Sequence, residues 1–205
     1  MKKANELEQS VRNSIEASIA TKQSLLKSPE LLFTVAKVSE LLARALLEGN
    51  KVFFFGNGGS AADAQHIAAE FVGRFALERP ALPALALSVN TSCVTAIGND
   101  YGFDQVFSRQ LEALARPGDI AVGISTSGKS PNVALALAVA KTMKLRTVAL
   151  TGRTGGTLRG NVEYCICIPS DETPRIQECH ILIGHIISEL VEREIFHEKS
   201  RVSGS

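Results

Sequence analysis

Hydrophobic positions follow two different patterns along the chain, and the change comes near Lys51. Before it, between residues 15 and 46, apolar residues recur every three or four positions, which is the period of an amphipathic helix. Ser28 before a proline is a helix start signal, and Gly49 fits a helix end. The pattern predicts two helices, and we interpret residues 1–49 as an oligomerisation arm because an apolar helical face needs a cover.

After this arm, short apolar runs alternate with helical patterns. The runs contain few polar residues, which is typical of parallel strands covered on both faces. The predicted strands are 52–55, 84–87, 120–124, 147–150 and 164–168, and the predicted helices are 60–75, 91–97, 104–115, 131–143 and 174–194. Over residues 50–196 the alternation predicts an α/β fold, a three-layer α/β/α sandwich with a five-stranded parallel sheet. Residues 197–205 are expected to form a flexible tail.

Composition and charge exclude several classes of protein. The chain has 205 residues, enough for one domain with a proper core, and 45% of them are hydrophobic, which argues against disorder. The formal net charge of +1 gives no basic surface for nucleic acid. No uncharged apolar run approaches the roughly 18 to 20 residues of a membrane span, and no secretory signal follows the N-terminal lysines. We therefore expect a cytoplasmic protein without nucleic-acid or membrane partners.

The four cysteines lack C-x-x-C spacing, so they predict neither a structural zinc site nor a disulfide framework. Cys165 and Cys167 stand two apart in the last apolar run, on one face of the predicted strand. We interpret them as reduced thiols that act as small hydrophobic side chains.

The loop after the first predicted strand is rich in glycine. Residues 56–61 formally fit the dinucleotide-binding pattern G-x-G-x-x-A, but no acidic residue ends the second strand to hold a ribose. A dinucleotide site is therefore disfavoured. The glycines still let a ligand approach the backbone at the start of a helix.

The loop after the third predicted strand favours a phosphate. Residues 123–130 fit the P-loop pattern, yet Pro131 has no N–H for the cradle, and no predicted strand ends in an aspartate for magnesium. A nucleotide triphosphatase is therefore disfavoured. Four hydroxyls in six residues exceed what capping a helix needs, and they suit a phosphate monoester. They belong to Ser125, Thr126, Ser127 and Ser130.

Ionisable side chains stand in apolar helical segments. His66 and Glu70 are four apart and share a helix face, while Gln177, His180 and His185 lie in the last predicted helix. A carboxylate and imidazoles on two helices beside a phosphate loop point to proton transfer.

Several motifs in a fixed order carry a resemblance to a known family. The chain contains GNGGS, HIAAEFVGRF, IGNDYGF, GISTSGKS, LTGRTGG and RIQECHILIGHII. In these motifs, from about Lys51 to Glu194, it resembles the sugar isomerase (SIS) domain family and, within it, the phosphoheptose isomerases. The resemblance implies a homotetramer with active sites at subunit interfaces. It also implies isomerisation of sedoheptulose 7-phosphate to D-glycero-D-manno-heptose 7-phosphate, a heptose precursor of lipopolysaccharide or another surface glycan.

The same resemblance implies roles for individual residues. Glu70 is the expected base and His185 the expected acid, acting through an enediol and contributed by adjacent subunits. The expected substrate-binding residues are Asn57, Gly58, Gly59, Glu70, Asn99, Asp100, Ser125, Thr126, Ser127, Ser130 and Gln177. Zinc is implied at His66, Glu70, Gln177 and His185. One departure is Pro174, where relatives often carry a polar residue.

A non-catalytic alternative stays open. A sister SIS protein is a tetrameric adaptor that binds the bacterial replication initiator, and it looks similar through LERPALPALAL and RIQE. Its pattern lacks the catalytic pair, whereas this chain has Glu70 and His185. The isomerase is favoured because an adaptor has no physical need for these groups in apolar helices.

Overall fold

The computed structural model describes residues 2–202, with side chains for residues 4–196. These residues form helices α1 (Lys2–Leu26), α2 (Pro29–Leu47), α3 (Gly59–Val72), α4 (Thr91–Tyr101), α5 (Ser108–Leu114), α6 (Pro131–Thr142) and α7 (Thr173–Val202), with a 3₁₀ turn at Phe103–Gln105. The strands are β1 (Val52–Gly56), β2 (Ala84–Ala86), β3 (Ile120–Ser125), β4 (Arg146–Thr151) and β5 (Tyr164–Cys167).

The five strands form one parallel sheet in the order β2-β1-β3-β4-β5. Helices cover both faces: Phe54 packs with α2, α3 and α7, while Phe53 and Phe55 pack with α5 and α6. This alternation follows from the period of two along a strand. The predicted three-layer α/β/α sandwich is confirmed, and all strands end at one edge of the sheet.

The N-terminal helices form as predicted. The Ser28 hydroxyl accepts a hydrogen bond from the backbone N–H of Leu31, and Gly49 follows α2 with a φ of +83° that suits glycine. Leu25 at the end of α1 is buried, but Ile15 and Ile19 are more than half exposed. Most of the apolar face of α1 is therefore uncovered in a single chain.

Four helix boundaries differ from the prediction, and one of them is the end of α3 at Val72 instead of residue 75. Helix α7 continues to Val202 instead of ending near residue 194, because no glycine or proline occurs before Gly204. Residues 197–202, assigned to a flexible tail, are thus helical, and 203–205 lie outside the described residues. The helix predicted over 104–115 is split, since adjacent Val106 and Phe107 are both buried and interrupt a one-sided pattern. Helix α4 is one turn longer than predicted.

The described residues contain no helix that is both long and apolar enough to cross a membrane.

Candidate active site

Two helices that run side by side, α3 and α7, form the base of the site. A methyl group on Gly59 would lie 2.4 Å from Nε2 of Gln177, and one on Gly184 would lie 2.5 Å from Cδ1 of Ile67. Both glycines therefore permit close contact between the helices. The two contacts advance in the same direction along α3 and α7, so the helices are parallel and place equivalent turns next to each other.

This packing brings together three of the predicted chemical groups. His66 Nε2 lies 2.9 Å from His185 Nε2 and 3.2 Å from Glu70 Oε1. The three ligand atoms all lie within 4.8 Å of one another. The Glu70 side chain is only 22% exposed and that of His66 is 52% exposed, so the cluster opens to solvent on the His66 side. The resemblance implied that Glu70 and His185 come from adjacent subunits, but here they converge within one chain because α3 and α7 are neighbours.

The convergence of three lone-pair atoms requires a proton or a cation between them. The two imidazole nitrogens, 2.9 Å apart, bind each other only if one donates and the other accepts. Zinc takes histidine nitrogens and glutamate oxygens at about 2.0–2.2 Å, and tetrahedral geometry then sets such ligands about 3.3 Å apart. The two separations in the cluster, 2.9 and 3.2 Å, fit that donor set.

Gln177, the fourth residue of the implied zinc site, has a different environment. Its amide lies against Gly59 at the start of α3. Among the described residues, no hydrogen bond joins it to His66, Glu70 or His185. It therefore lies at the glycine loop, on the side of the site where the sugar is expected.

A buried ion pair that sequence reasoning missed fixes the end of α3. The Glu192 carboxylate accepts hydrogen bonds from the N–H groups of Phe75, Ala76 and Leu77 at 3.0, 2.8 and 2.7 Å, and from Arg79 Nε at 2.8 Å. Both charged side chains are 2% exposed. Burial acts to raise the pKa of Glu192, but these donors outweigh it and hold the pKa below its ordinary value.

The same pair acts on two members of the site. The guanidinium of Arg79 donates from Nη2 to the backbone oxygen of Glu70 at 2.8 Å and thus caps α3 at the predicted base. The Phe75 ring, held through Glu192, lies 5.9 Å from the His185 ring. The ion pair therefore holds both the backbone oxygen of Glu70 and the Phe75 ring next to His185.

The hydroxyl loop lies between β3 and α6. Ser125 Oγ and Ser130 Oγ share a hydrogen bond of 2.9 Å, and Ser127 Oγ accepts one from the N–H of Lys129 at 3.2 Å. Ser130 is the residue before α6, yet its side chain makes no capping hydrogen bond. Since the helix-capping role is not filled, the hydroxyls line an open loop at a helix N-terminus, where a phosphate is favourable. Thr126, also in this loop, is partly buried.

Neighbouring loops hold this one in place. The side-chain amides of Asn57 and Asn132 exchange two hydrogen bonds of 2.9 Å and so join the loop after β1 to the start of α6. Asn132 is 1% exposed, and sequence analysis missed it. The carbonyl oxygen of Gly128 accepts from the N–H of Thr157 at 2.9 Å, and that of Thr126 accepts from Gly152. The glycine loop, the hydroxyl loop and the loop after β4 therefore form one surface.

Asn99 and Asp100 lie apart from these groups. They are exposed at the end of α4, where Asn99 Nδ2 donates to Asp100 Oδ1 at 2.7 Å. Among the described residues, no hydrogen bond or ion pair connects either of them to the His66 cluster. Their predicted role in sugar binding stays a prediction.

His180 differs from His66 and His185. Its side chain is fully buried, and Nε2 contacts the carbonyl oxygen of Thr151 at 3.2 Å. Burial lowers the pKa of His180 to about 4, so the ring is neutral near pH 7 and donates to this oxygen. His180 is a structural link between α7 and β4.

Asp63 lies on α3 and Pro174 lies on α7. Asp63, one turn before His66, has a buried Oδ2 without a hydrogen-bond partner among the described residues, and burial raises its pKa to about 6 while His66 opposes the rise. Pro174 lies in the first turn of α7, where a missing N–H costs no intrahelical bond. The departure from the expected polar residue therefore leaves the helix intact.

Comparison with known proteins places this site in a family. The SIS domain family matches residues 17–152. The chain is 58% identical over 162 residues to a phosphoheptose isomerase from Akkermansia muciniphila, which covers 79% of this chain and 86% of the relative. It is 55% identical over 187 residues to one from Geotalea daltonii, over 90% and 97% of the two chains.

A solved structure agrees with these relatives. Phosphoheptose isomerase GmhA from Neisseria gonorrhoeae superposes with a TM-score of 0.85 at 43% identity, covering 91% of this chain and 98% of that one. The similarity extends over nearly the whole of both chains. The chain therefore belongs to the SIS domain family, and the relatives named here are phosphoheptose isomerases.

Proposed function

We propose that this protein converts sedoheptulose 7-phosphate to D-glycero-D-manno-heptose 7-phosphate, an aldose–ketose isomerisation. The observation that carries the proposal is the convergence of Glu70, His66 and His185 on one side of a surface that also holds four hydroxyls. Relatives at 58% and 55% identity bear the name of this activity.

The chemistry needs one base at carbon and one proton donor at oxygen. Glu70 removes a proton from C1 of the ketose, and the electron pair forms a double bond to C2 while a ring N–H of His185 donates to O2. The enediol then loses its O1 proton to His185, and Glu70 returns a proton to C2, which gives the aldose. His66, 2.9 Å from His185, orients that ring and completes its hydrogen bonding.

Binding of the distant phosphate holds the reacting carbons in place. The hydroxyls of the loop after β3 and the free N–H groups at the start of α6 provide hydrogen bonds to phosphate oxygens. The Asn57–Asn132 amide pair fixes this loop against the glycine loop near the reacting end. Because the bound phosphate orients the reacting carbons, part of the binding energy is used to raise the reaction rate.

The donor set also supports a zinc ion. We propose that Nε2 of His66, Nε2 of His185 and one oxygen of Glu70 would hold it, with Gln177 as the further candidate ligand, so that the second Glu70 oxygen and Nδ1–H of His185 remain for proton transfer. When bound, zinc would polarise the oxygens at C1 and C2 as a Lewis acid.

Three wider statements belong to the same proposal. The chain assembles as a homotetramer through its N-terminal arm, with active sites near subunit interfaces. The reaction takes place in the cytoplasm. Its product supplies heptose for lipopolysaccharide or another surface glycan.

A direct assay tests the function. The purified, zinc-supplemented protein is incubated with sedoheptulose 7-phosphate in D2O, and NMR spectroscopy follows the aldose and deuterium at its C2. We expect aldose to form with deuterium at that carbon. A folded protein that forms no aldose but captures the purified bacterial replication initiator would instead support the adaptor.

A further inference from the structure

Two thiols lie on the edge strand β5. Cys165 and Cys167 are both partly exposed, and their Sγ atoms are 3.6 Å apart. They line a cavity of about 180 Å³ between β5 and the start of α2, together with Arg153 and Arg159. As the sequence predicted, both thiols are free, and Cys165 packs against an apolar cluster; both also line this polar cavity.

The surroundings make the two sulfurs unequal. The hydrogen bond from the Cys165 thiol lowers the pKa of Cys167 despite its burial, and the Thr151 hydroxyl, 3.4 Å away, and Arg159 act in the same direction. Glu30 on α2 opposes them. The same contact raises the pKa of Cys165. The pair therefore holds one thiolate next to one thiol.

This is the arrangement that thiol–disulfide exchange requires: an attacking thiolate, and a second thiol close enough to resolve the product. Arg153 and Arg159 add positive charge to the cavity wall, Glu30 adds a negative charge, and among the described residues Asp171 forms an ion pair with Arg153. A small disulfide that carries both carboxylates and an ammonium group, such as oxidised glutathione, fits this mixed charge. The strand exposes the sulfurs because β5 has a neighbour on only one side.

We propose that Cys165 and Cys167 form an exchange site for a small anionic disulfide of the glutathione class. The Cys167 thiolate attacks one sulfur of the disulfide, whose S–S bond breaks, and one small thiolate leaves. The Cys165 thiol then loses its proton to the departed thiolate, and the sulfur attacks Cys167 Sγ. This attack expels the second small thiolate, which takes a proton from water and becomes a thiol. The cysteine pair gives up two electrons, and the small disulfide is reduced to two thiols.

The protein disulfide formed in this way is easily reversed. Residues two apart in an extended strand have Cα atoms about 6.6–6.8 Å apart, at the upper limit of about 6.8 Å for a disulfide. Such a strained bond is readily reduced, as in regulatory disulfides rather than structural ones.

Intact-mass spectrometry of the folded full-length protein, treated with oxidised glutathione, tests this site. We expect one glutathionyl adduct, followed by a species two hydrogens lighter than the starting protein. The Cys165→Ser variant should stop at the adduct, and Cys167→Ser should react at least about tenfold more slowly, since the thiolate is the nucleophile. Cys93→Ser, the matched control on α4, should behave as the unchanged protein.

A second comparison tests whether Arg159 favours an anionic disulfide. Arg159→Gln should slow the reaction with oxidised glutathione several-fold but leave the reaction with uncharged hydroxyethyl disulfide within about twofold, since only the first probe is anionic. Peptide mapping of the unchanged protein locates the adduct even if a cysteine variant does not fold. Adducts found only at Cys93, or equal rates for Cys167→Ser and the unchanged protein, would overturn the proposal.

Discussion

Single glycines decide how closely the side chains proposed for catalysis approach one another. Gly184 directly precedes His185, and its missing side chain leaves room for Ile67, the neighbour of His66. Gly59 does the same for Gln177 at the other end of the contact. The distances between the imidazoles and the carboxylate thus depend on two residues that carry no chemistry of their own.

Changing Gly184 to Ala tests this dependence. The new methyl group would lie 2.5 Å from Ile67 Cδ1, so α3 and α7 must separate slightly. We expect the free energy of unfolding to fall by about 1–3 kcal/mol, as for overpacked cores, and kcat to fall with it. Gly160→Ala is the matched control, because a methyl group there meets nothing within 4 Å. Equal kcat and equal stability of the two variants in urea unfolding would argue against a role for this contact.

Replacing Glu70 with Gln keeps the shape of the side chain and removes the base. We expect kcat to fall by about 10²- to 10⁴-fold, the usual contribution of a general base, while sugar phosphate affinity stays within about tenfold. Steady-state kinetics and calorimetric binding measure the two effects. Glu189→Gln, an exposed change on α7, serves as control. Retained turnover in Glu70→Gln would exclude Glu70 as the base.

At the scale of elements, the sheet was predictable because buried parallel strands are almost wholly apolar. All five predicted strands match β1 to β5 within one or two residues. The start of α2 was predictable too, since Ser28 and Pro29 act locally. The ends of α3, α4 and α7 were less accurate, and at α7 no helix-breaking residue occurs before Gly204. The split before α5 depends on the burial of Val106 and Phe107, which the sequence does not show.

Contacts between residues that are far apart along the chain could not be predicted from the sequence. Glu192 and Arg79 are 113 residues apart, and nothing local marks them as partners. Asn132 is hydrogen-bonded to Asn57, which lies 75 residues away along the chain. His66, Glu70 and His185 were identified as chemical candidates, but only the packing of α3 on α7 shows that they meet in one chain.

The buried carboxylate of Glu192 makes stability depend on pH. Its pKa lies below the ordinary value of 4.5 in the folded state, so its stabilising effect is complete above about pH 4.5 and is lost as the pH falls through the folded-state pKa. We expect Glu192→Gln to lose about 3 kcal/mol at pH 7, because it leaves Arg79 buried and unpaired.

Urea unfolding across pH 3.5 to pH 7 measures this effect. The difference between Glu192→Gln and the unchanged protein should shrink toward the acid end. The exposed control, Glu189→Gln, should differ by less than about 0.5 kcal/mol throughout. A difference that stays constant with pH would show that the charge of Glu192 does not stabilise the fold.

The hydroxyl loop allows a test of phosphate binding. Removing the hydroxyls in a Ser125→Ala, Ser127→Ala variant should raise KM by at least about 100-fold, because two hydrogen bonds to a charged group contribute about 1.5 kcal/mol or more each. Inhibition by inorganic phosphate should weaken in parallel. Thr142→Ala, at the far end of α6, controls for hydroxyl loss. Unchanged KM and phosphate inhibition would place the phosphate elsewhere.

For the whole molecule, the uncovered face of α1 is the main unexplained surface. It carries a row of apolar side chains that are all at least half exposed: Leu7, Val11, Ile15 and Ile19. Their spacing of four residues keeps them on one side of the helix. A row of this kind supports the proposed role of the arm in assembly.

Charges placed on this row should disrupt the assembly. We expect Ile15→Glu with Ile19→Glu to shift the protein to smaller species in analytical ultracentrifugation, because burying two carboxylates in an apolar contact is unfavourable. Asn5→Glu with Asn13→Glu adds the same charge away from the row and should sediment as the unchanged protein. If both double variants sediment alike, the arm does not assemble through this face.

Helix α7 supplies His185, Gln177 and Glu192, and it follows every strand of the sheet in the chain. During translation, the ribosome therefore releases the sheet, the hydroxyl loop and the His66–Glu70 pair before His185 can join them. On the proposed mechanism, a nascent chain stalled before α7 lacks its proton donor, and we expect it to be inactive. Turnover would then report that synthesis has passed α7.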